Sequence, residues 1–390
     1  MKLDAARGFN FFPVPTDVHF GYGSSRLLAD HVRSLKARTV FVVTDPGVRS
    51  CGIVDRVVAS LEQAGIPFTT YDQVTADSGS TLIADAVDRL RASGADAVVG
   101  VGGGSSLDTA KAVAALATNP GSPLDYVGLH KVVARPLPTI AIPTTAGTGS
   151  EVSLWSVFTD DARRLKVAIG GLMLYPTIAV CDPELTLDLP APLTASTGMD
   201  ALAHAIECYT NKACQPISAA LALGAIELVG VHLPRAVRDG HDREARYAML
   251  LASTMAGMAM NPTRLGLAHA LAMPLGSWHL KIPHSVAIAV TLPIVMRFNH
   301  PAAPDRFVSV ARALNQDVDG RPALEAASRA AEAVCSLART IGIPRGLSEF
   351  GLRDDDVEPV VEEAMKSGNV AVNPRTASKE ELAGILRQAL

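Results

Sequence analysis

The chain has 390 residues, of which 48% are hydrophobic and only 5% are aromatic. This length is sufficient for two domains, each with a hydrophobic core of its own. The formal net charge is -4, with lysines and arginines dispersed along the sequence, and this pattern argues against nucleic acid or an anionic membrane as a partner.

The N-terminal stretch MKLDAARGFNFFPVP has no apolar segment of the kind that a signal peptide needs, so we expect a cytoplasmic protein. The five cysteines are spread along the chain without a CxxC pair. This spacing argues against a disulfide framework or a zinc knuckle. We expect most of the cysteines to be small buried hydrophobic residues.

The first half of the chain alternates short apolar runs with segments of helical pattern. After a proline-rich entry, the residues from Val18 to Tyr22 suggest a hairpin. Strands alternating with helices of 10 to 15 residues predict a parallel, doubly wound sheet, which binds ligands at the carboxyl ends of its strands. The predicted strands are TVFVVTD (39–45), PFTTYD (67–72), ADAVVGVGGGS (95–105) and PTIAIPTT (138–145), and the predicted helices are GIVDRVVASLEQAG (52–65), TLIADAVDRLRASG (81–94) and LDTAKAVAALATN (107–119).

Polar or glycine-rich residues follow three of these strands. Asp45 ends the first, where its carboxylate could accept hydrogen bonds from an adenosine ribose or could simply form an Asp-Pro-Gly turn. The glycines of GVGGGSS (100–106) let the backbone approach a pyrophosphate at a helix N-terminus, although a tight turn also explains them. The run TTAGTGSE (144–151) adds hydroxyls and glycines at a third strand end. Two such loops on neighbouring strands favour a dinucleotide site.

From Thr194 onward the pattern changes to long helical stretches rich in alanine and leucine, with proline and glycine between them. We therefore predict an α/β domain over residues 1–188 and an all-helical domain over 189–390. We expect the functional site in the cleft between the two domains.

Four residues of the second half form a candidate metal site. Asp200 and His204, in GMDALAH, are spaced i, i+4 and share one face of a helix. His269 and His284 add two nitrogens from a later segment, and the mixed set suits Fe(II), Zn(II) or a similar ion. Each residue also has an alternative interpretation when it is taken alone. Asp200 and His204 could form a hydrogen bond on the helix face, His269 could be a core histidine, and His284 could be a residue at the end of a loop. Together they would close a four-ligand site with room for a substrate oxygen.

The chain resembles the iron-containing (group III) alcohol dehydrogenase family along nearly its whole length. The resemblance implies a Rossmann-like N-terminal domain, an all-helical C-terminal domain, and NAD(P)-dependent interconversion of an alcohol with an aldehyde or ketone. It also implies a homodimer or larger homo-oligomer. The motifs that carry it are VTDPG (43–47), GGGSSLDTAK (102–111), PTTAGTGSEVS (143–153), TGMDALAHAIECY (197–209), GLAHALAMPLG (266–276) and PHSVAIAVTLPIVMRFN (283–299).

Residue roles follow from the resemblance at matching positions. Asp45 matches a carboxylate that favours NAD over NADP by contacting the ribose 2′-hydroxyl. Lys166 resembles a lysine near the cofactor ribose, although a solvated surface lysine is an alternative. The metal ligands are Asp200, His204, His269 and His284, and the other cofactor contacts are Gly102, Gly103, Gly104, Ser105, Asp108, Thr144, Thr145 and Thr148.

The chain departs from its relatives near the expected substrate pocket. Many relatives have a second histidine four residues after the third ligand, where this chain has Met273, and a titratable group is thereby lost. His279, in a loop that is one residue longer, could replace that imidazole or could lie in solvent. Trp155, Met260 and Arg264 are further candidates for the pocket wall, with core packing and a helix-end salt bridge as alternatives for the last two.

The resulting hypothesis is a metal-dependent oxidoreductase that transfers a hydride between NAD(H) and an alcohol, aldehyde or ketone, with Fe(II) favoured and Zn(II) as an alternative. Other hypotheses are a metal-free enzyme like maleylacetate reductase, a lyase like dehydroquinate synthase, and a catalytically silent metal- or nucleotide-binding protein. The intact Asp200 and His204 pair argues against the metal-free enzyme.

Overall fold

The computed structural model describes residues 11–276, 280 and 282–390, and the chain divides into two compact units. One unit is Val14–Leu189, and the other is Pro190–Leu390 together with the described residues before Val14. The first unit contains sheets and helices, whereas the described residues from 190 onward form helices and no strand.

The α/β unit contains nine strands and five α-helices among its described residues. They are β1 (Asp17–Phe20), α1 (Leu28–Ser34), β2 (Val40–Val43), α2 (Pro46–Ser50), α3 (Ile53–Ala64), β3 (Phe68–Tyr71), α4 (Ser80–Ser93), β4 (Ala97–Gly102), α5 (Gly104–Thr118), β5 (Gly128–Leu129), β6 (Thr139–Pro143), β7 (Trp155–Asp160), β8 (Leu165–Gly170) and β9 (Ile178–Cys181). Six strands form a parallel sheet in the order β1-β9-β6-β4-β2-β3. A smaller sheet has the order β5-β8-β7.

Both faces of the large sheet are buried, which explains why its central strands are continuous apolar runs. Alternate residues of β2 enter different cores: Phe41 packs with α4 and α5, and Val40 packs with α1 and α3. On β4, Gly100 lets α5 approach closely, because a Cβ there would lie 2.8 Å from the Cβ of Ala110. The predicted parallel, doubly wound arrangement is therefore confirmed.

Two features of this unit differ from the sequence-based expectation. The hairpin expected from Val18 to Tyr22 is wrong, because β1 pairs in parallel with β9, with Asp17 opposite Ile178. The antiparallel pair of β7 and β8, in which Trp155 lies opposite Gly170, was not predicted. β9, the partner of β1, lies about 160 residues away in the chain. A four-residue strand carries no local signal of such a distant partner.

The helical unit packs its longest helices against one another. The helices are α6 (Ala191–Thr210), α7 (Pro216–Arg238), α8 (Arg243–Thr263), α9 (Leu267–Leu275), α10 (His284–Asn299), α11 (Pro304–Ala313), α12 (Ala323–Thr340), α13 (Asp354–Ala364), α14 (Gly368–Val372) and α15 (Lys379–Arg387). α6 contacts α7, α8 and α10, and α10 also contacts α9 and α12.

α7 is, among the described residues, the one helix long and apolar enough to cross a bilayer by length and composition. Its residues Ala222, Ile226, Val229 and Leu233 are buried, and they recur at helical spacing on one face. That face packs against α6 and α8. This packing is typical of a core helix in a globular unit.

Close packing also fixes the position of α6. A Cβ at Gly198 would lie 2.3 Å from a methyl carbon of Leu233 and 3.0 Å from the terminal methyl of Met249. Gly198 therefore allows α7 and α8 to approach α6 within a distance that any side chain at this position would prevent. The first residue of GMDALAH thus permits the close packing of the helix that carries the candidate metal ligands.

Candidate functional site

α6 presents Asp200 and His204 from one face, as their spacing predicts. Both are buried, at 2% and 6% of their full exposure. Asp200 Oδ1 lies 3.9 Å from His204 Nε2. The pair therefore points two donor atoms toward the same space inside the helical unit.

α9 and α10 bring the other two histidines to this carboxylate. His269 lies in the first turn of α9, and its Nε2 is 3.4 Å from Asp200 Oδ1. Its ring stacks on that of His204 with centroids 4.5 Å apart, and the ring of His284 lies edge-on at 5.8 Å. One potential ligand atom from each of Asp200, His269 and His284 lies within 4.8 Å of the others. The four residues singled out in the sequence thus form one cluster.

The charges of this cluster favour a cation at its centre. Burial raises the pKa of Asp200, but His204, His269 and His284 outweigh this effect and hold the pKa well below its usual range. Burial likewise lowers the pKa of His269, but Glu207 and Asp200 outweigh it and raise this pKa to about 9. The carboxylate therefore remains ionised, and without a metal the positive charge beside it is that of protonated His269, 3.4 Å away. A divalent cation would take the place of this proton.

Two buried atoms of the cluster make no hydrogen bond. Asp200 Oδ1 and His269 Nε2 lie 3.4 Å apart, at the distance of an ion pair, but neither has a hydrogen-bond partner of good geometry in the protein. A contact of this length satisfies the two groups less well than a hydrogen bond of ordinary length. A divalent cation would satisfy both, and the oxygen and imidazole donors suit a first-row ion. The residues present therefore fit a metal of this class.

Glu207 lies behind His269 and was not singled out in the sequence. Its carboxylate is 2.6 Å from His269 Nδ1 and accepts hydrogen bonds from the backbone amides of Gly266 and Ala268, both at 2.8 Å. The signal in the sequence was its spacing, because a residue seven positions after Asp200 lies on the same face of α6.

In the α/β unit, the glycine loop follows β4 as predicted. Gly103 precedes α5, and Gly104 is the first residue of that helix. Gly102 has a φ of 148°, and a Cβ there would lie 2.6 Å from Ser106 Oγ. Ser105 Oγ donates to Ala76 O at 2.6 Å. The loop thus exposes backbone at the N-terminus of a 15-residue helix, an arrangement suited to phosphate.

The second loop lies directly against the first. Thr144, which is buried, donates its backbone N–H to Gly102 O at 3.0 Å. A Cβ at Gly103 would lie 3.4 Å from the methyl carbon of Thr145, and one at Gly104 would lie 2.7 Å from that of Thr148. The two loops expected to hold a dinucleotide are therefore in contact, at the ends of neighbouring strands β4 and β6.

Asp45 stands at the end of β2, next to the glycine loop. Its Oδ1 accepts from Val48 N at 2.9 Å and so caps α2, and its Oδ2 accepts from Ser106 Oγ at 3.1 Å. Asp45 thus caps the turn that follows β2 and also lies beside the glycine loop. A carboxylate at this strand end also suits a ribose hydroxyl.

Asp108 connects α5 to the second loop and to β7. Its two oxygens accept from Ser150 Oγ and from Val157 N. Lys111, which was not singled out in the sequence, pairs with Asp108 at 3.0 Å and donates to backbone oxygens of Ser150 and Trp155. Both residues therefore act within the protein, as a connection that holds the second loop.

Lys166 is not a solvated surface lysine, which was the alternative interpretation. It lies on β8, its side chain is only 10% exposed, and its Nζ is 2.8 Å from Asp77 Oδ1. Asp77 belongs to the segment that also contains Ala76, the acceptor of Ser105. Lys166 is thus fixed by an ion pair to the segment that contacts the glycine loop.

The candidates for the pocket wall lie in different parts of the chain. Trp155 begins β7, whereas Met260 is buried on α8 and Met273 is half-buried on α9, one turn after His269. Arg264 follows α8 with a φ of 61°, and its guanidinium lies against Gly368. His279 lies outside the described residues.

Comparison with known proteins gives consistent matches along the whole chain. A family model described as "Iron-containing alcohol dehydrogenase" matches residues 15–183, and one described as "Fe-containing alcohol dehydrogenase family, C-terminal" matches residues 194–390.

Individual proteins are similar over nearly their full length. The NAD-dependent methanol dehydrogenase of Bacillus methanolicus is 38% identical, with 98% of this chain and 100% of the relative covered. The choline dehydrogenase of Bacillus subtilis is 37% identical, with 97% and 95% covered. The crystal structure of a 1,3-propanediol oxidoreductase matches with a TM-score of 0.96 and 37% identity over 98% of this chain and 100% of that one.

Proposed function

The chain belongs to the iron-containing alcohol dehydrogenase family, as its motifs predicted, and from this premise we propose that it transfers a hydride between NAD(H) and a small alcohol or carbonyl compound. Asp200, His204, His269 and His284 would hold a divalent cation, with Fe(II) favoured over Zn(II). The observation that carries the proposal is the buried cluster in which Asp200 Oδ1 and His269 Nε2 have no hydrogen-bond partner.

When bound, a divalent cation supplies a Lewis acid for a substrate oxygen, and the nicotinamide supplies the hydride chemistry. The residues of the cluster bind and orient. Asp200 provides the negative charge, and the stacked rings of His204 and His269 hold two imidazoles in a fixed relation. Their burial keeps competing water away from these donors. Met273 has no titratable group, so this side chain cannot accept the proton of an alcohol.

The cofactor would be held by the two loops of the α/β unit. The amides at the start of α5 would bind the diphosphate, with Gly102, Gly103 and Gly104 allowing close approach. Thr145 and Thr148 would supply hydroxyls from the second loop. Asp45 would accept a hydrogen bond from the 2′-hydroxyl of NAD and repel the 2′-phosphate of NADP.

The test combines metal analysis with an assay of NADH absorbance at 340 nm. Enzyme loaded with Fe(II) without oxygen should form NADH from NAD and at least one alcohol of a panel that includes methanol, propane-1,3-diol and choline. The panel follows from the names of the relatives, which act on chemically different alcohols. Removing the metal with a chelator should abolish the signal, and adding Fe(II) should restore it.

Asp200→Asn keeps the shape of the side chain and removes its charge. We expect its metal affinity to fall by more than about 100-fold, since even outer partners of metal ligands contribute about 10- to 100-fold. Asp319→Asn is the matched control, because Asp319 is 85% exposed in the same unit. Net NADH formation that persists after chelation and in Asp200→Asn would contradict the proposal.

A homodimer in the cytoplasm completes the proposal. The dimer is supported by resemblance to the family. Sedimentation velocity would test the dimer, and a single species at the mass of one chain, 40.8 kDa, would contradict it.

A further inference from the structure

One carboxylate, that of Glu207, contacts both a candidate metal ligand and the helix that carries this ligand. Glu207 is 4% exposed. Its Oε2 accepts from Gly266 N at 2.8 Å and lies 2.6 Å from His269 Nδ1, and its Oε1 accepts from Ala268 N at 2.8 Å. Every one of these partners is in or next to the first turn of α9.

The contact with the imidazole determines which nitrogen carries the proton. An ionised carboxylate only accepts hydrogen bonds, so His269 must place a proton on Nδ1 to donate to Glu207. When a cation displaces the proton of Nε2, the remaining proton therefore stays on Nδ1, and Nε2 offers its lone pair to the cation. Nε2 is the atom that faces Asp200 Oδ1 at 3.4 Å and has no hydrogen-bond partner. The ring is thus prepared to bind a cation through Nε2.

The contact with the backbone fixes the helix itself. The N-terminal amides of a helix have no partner within it, and a negative charge there is favourable. Gly266, the N-cap of α9, has no side chain that could cap the helix. Glu207 of α6 instead accepts hydrogen bonds from the amides of Gly266 and Ala268. A Cβ at Gly266 would lie 2.8 Å from Glu207 Oε1, so only glycine lets the carboxylate approach this closely.

We propose that Glu207 is a positioning residue for the metal centre: it sets the tautomer and the direction of His269 and holds α9 against α6. The inference rests on the proposed function, because it requires that the cluster bind a divalent cation. Outer carboxylates that accept from a ligating histidine have this role in metal sites of other folds.

Asn211 provides a matched control. It lies one turn after Glu207, it is 1% exposed, and its Nδ2 donates to the backbone oxygens of Thr263 and Arg264, both at 3.1 Å. It therefore connects the end of α6 to the segment between α8 and α9 through carbonyl groups. None of its hydrogen bonds involves a ring of the cluster.

The experiment measures the Zn(II) affinity of purified full-length protein by competition with a chromophoric chelator, without substrate or NAD. Glu207→Gln presents an N–H either to Ala268 N–H or to the side of Gly266 and His269, so it cannot satisfy all three donors. We expect Zn(II) affinity to fall about 10- to 100-fold. Asn211→Ala should lower the melting temperature of metal-free protein and leave Zn(II) affinity unchanged.

The outcomes separate the inference from the proposed function. If the wild type binds no Zn(II), the metal site itself fails, and the inference fails with it. If the wild type binds Zn(II) and Glu207→Gln binds equally well, or if Asn211→Ala weakens binding as much, only the inference is overturned. If Glu207→Gln does not fold, Glu207→Asp replaces it. Its shorter carboxylate cannot reach all three donors, and an affinity equal to that of the wild type would overturn the inference.

Discussion

The replacement Lys111→Met tests how the second loop (144–151) is held. The side chain of Lys111 is 1% exposed. Its ammonium donates to Ser150 O at 3.0 Å, to Ser153 Oγ at 3.2 Å and to Trp155 O, and it pairs with Asp108 Oδ1 at 3.0 Å. Methionine has a similar length and an apolar end, so it fills the space without making any of these contacts.

Two opposing effects determine the magnitude. Burial lowers the pKa of Lys111 and is the largest influence on it, with Asp108 acting in the opposite direction; removing the charge therefore relieves a desolvation penalty. The substitution also leaves the oxygens around the ammonium without their donor, at about 1–3 kcal/mol for each buried group. Breaking a buried pair by removing one partner is unfavourable by about 3–5 kcal/mol. We expect the free energy of unfolding to fall by about 3–5 kcal/mol.

Urea denaturation followed by tryptophan fluorescence measures this change. Trp155 is one of two tryptophans in the chain, and its backbone oxygen is a partner of Lys111. Lys131→Met is the control, since Lys131 is exposed in the same unit and surface substitutions change stability by about 0.5 kcal/mol or less. A loss for Lys111→Met no greater than that for Lys131→Met would refute the reasoning.

Two further predictions concern the cofactor. Gly104→Ala places a Cβ 2.7 Å from the methyl carbon of Thr148, which should separate the two loops. We expect the affinity for NADH, measured by fluorescence titration, to fall about tenfold, or about 1.4 kcal/mol. The control Gly384→Ala, which has open space around its Cβ, should bind NADH as the wild type does. Asp45→Ser keeps a capping oxygen for α2 and removes the carboxylate. The ratio of kcat/KM with NADP to kcat/KM with NAD should therefore rise about tenfold. An unchanged ratio would show that the ribose does not contact this residue.

The parts of the fold that the sequence predicted are those with a local cause. Strands β2, β3, β4 and β6 are short apolar runs between helices of the matching period, and each was predicted within a few residues of its bounds. The pairing of β1 with β9 and the β7–β8 pair depend on contacts between distant or weakly patterned segments. Periodicity within a window carries no information about such partners.

The same distinction applies to the candidate site. The spacing of Asp200 and His204 gave one helical face, because an α-helix has a fixed period. Glu207 lies on this face too, but its role depends on where α9 packs, and nothing in the residues near Glu207 shows this. The role of Lys111 likewise depends on contacts with distant parts of the chain. It occurs in an alanine-rich helix, and its burial follows from β7 and the second loop lying against α5.

α6 therefore carries or orients three of the four candidate metal ligands. It carries two candidate ligands, Asp200 and His204, and the carboxylate of Glu207 that orients a third, His269. In this arrangement Asp200 Oδ1 and His269 Nε2 are held in place before any cation binds, and both are unsatisfied. Holding them so destabilises the folded protein without metal, and a bound cation would offset this by RT ln(1 + [metal]/Kd). A substitution that frees His269 from Glu207 should therefore weaken metal binding and, with it, the stabilisation that a bound cation gives to the helical unit.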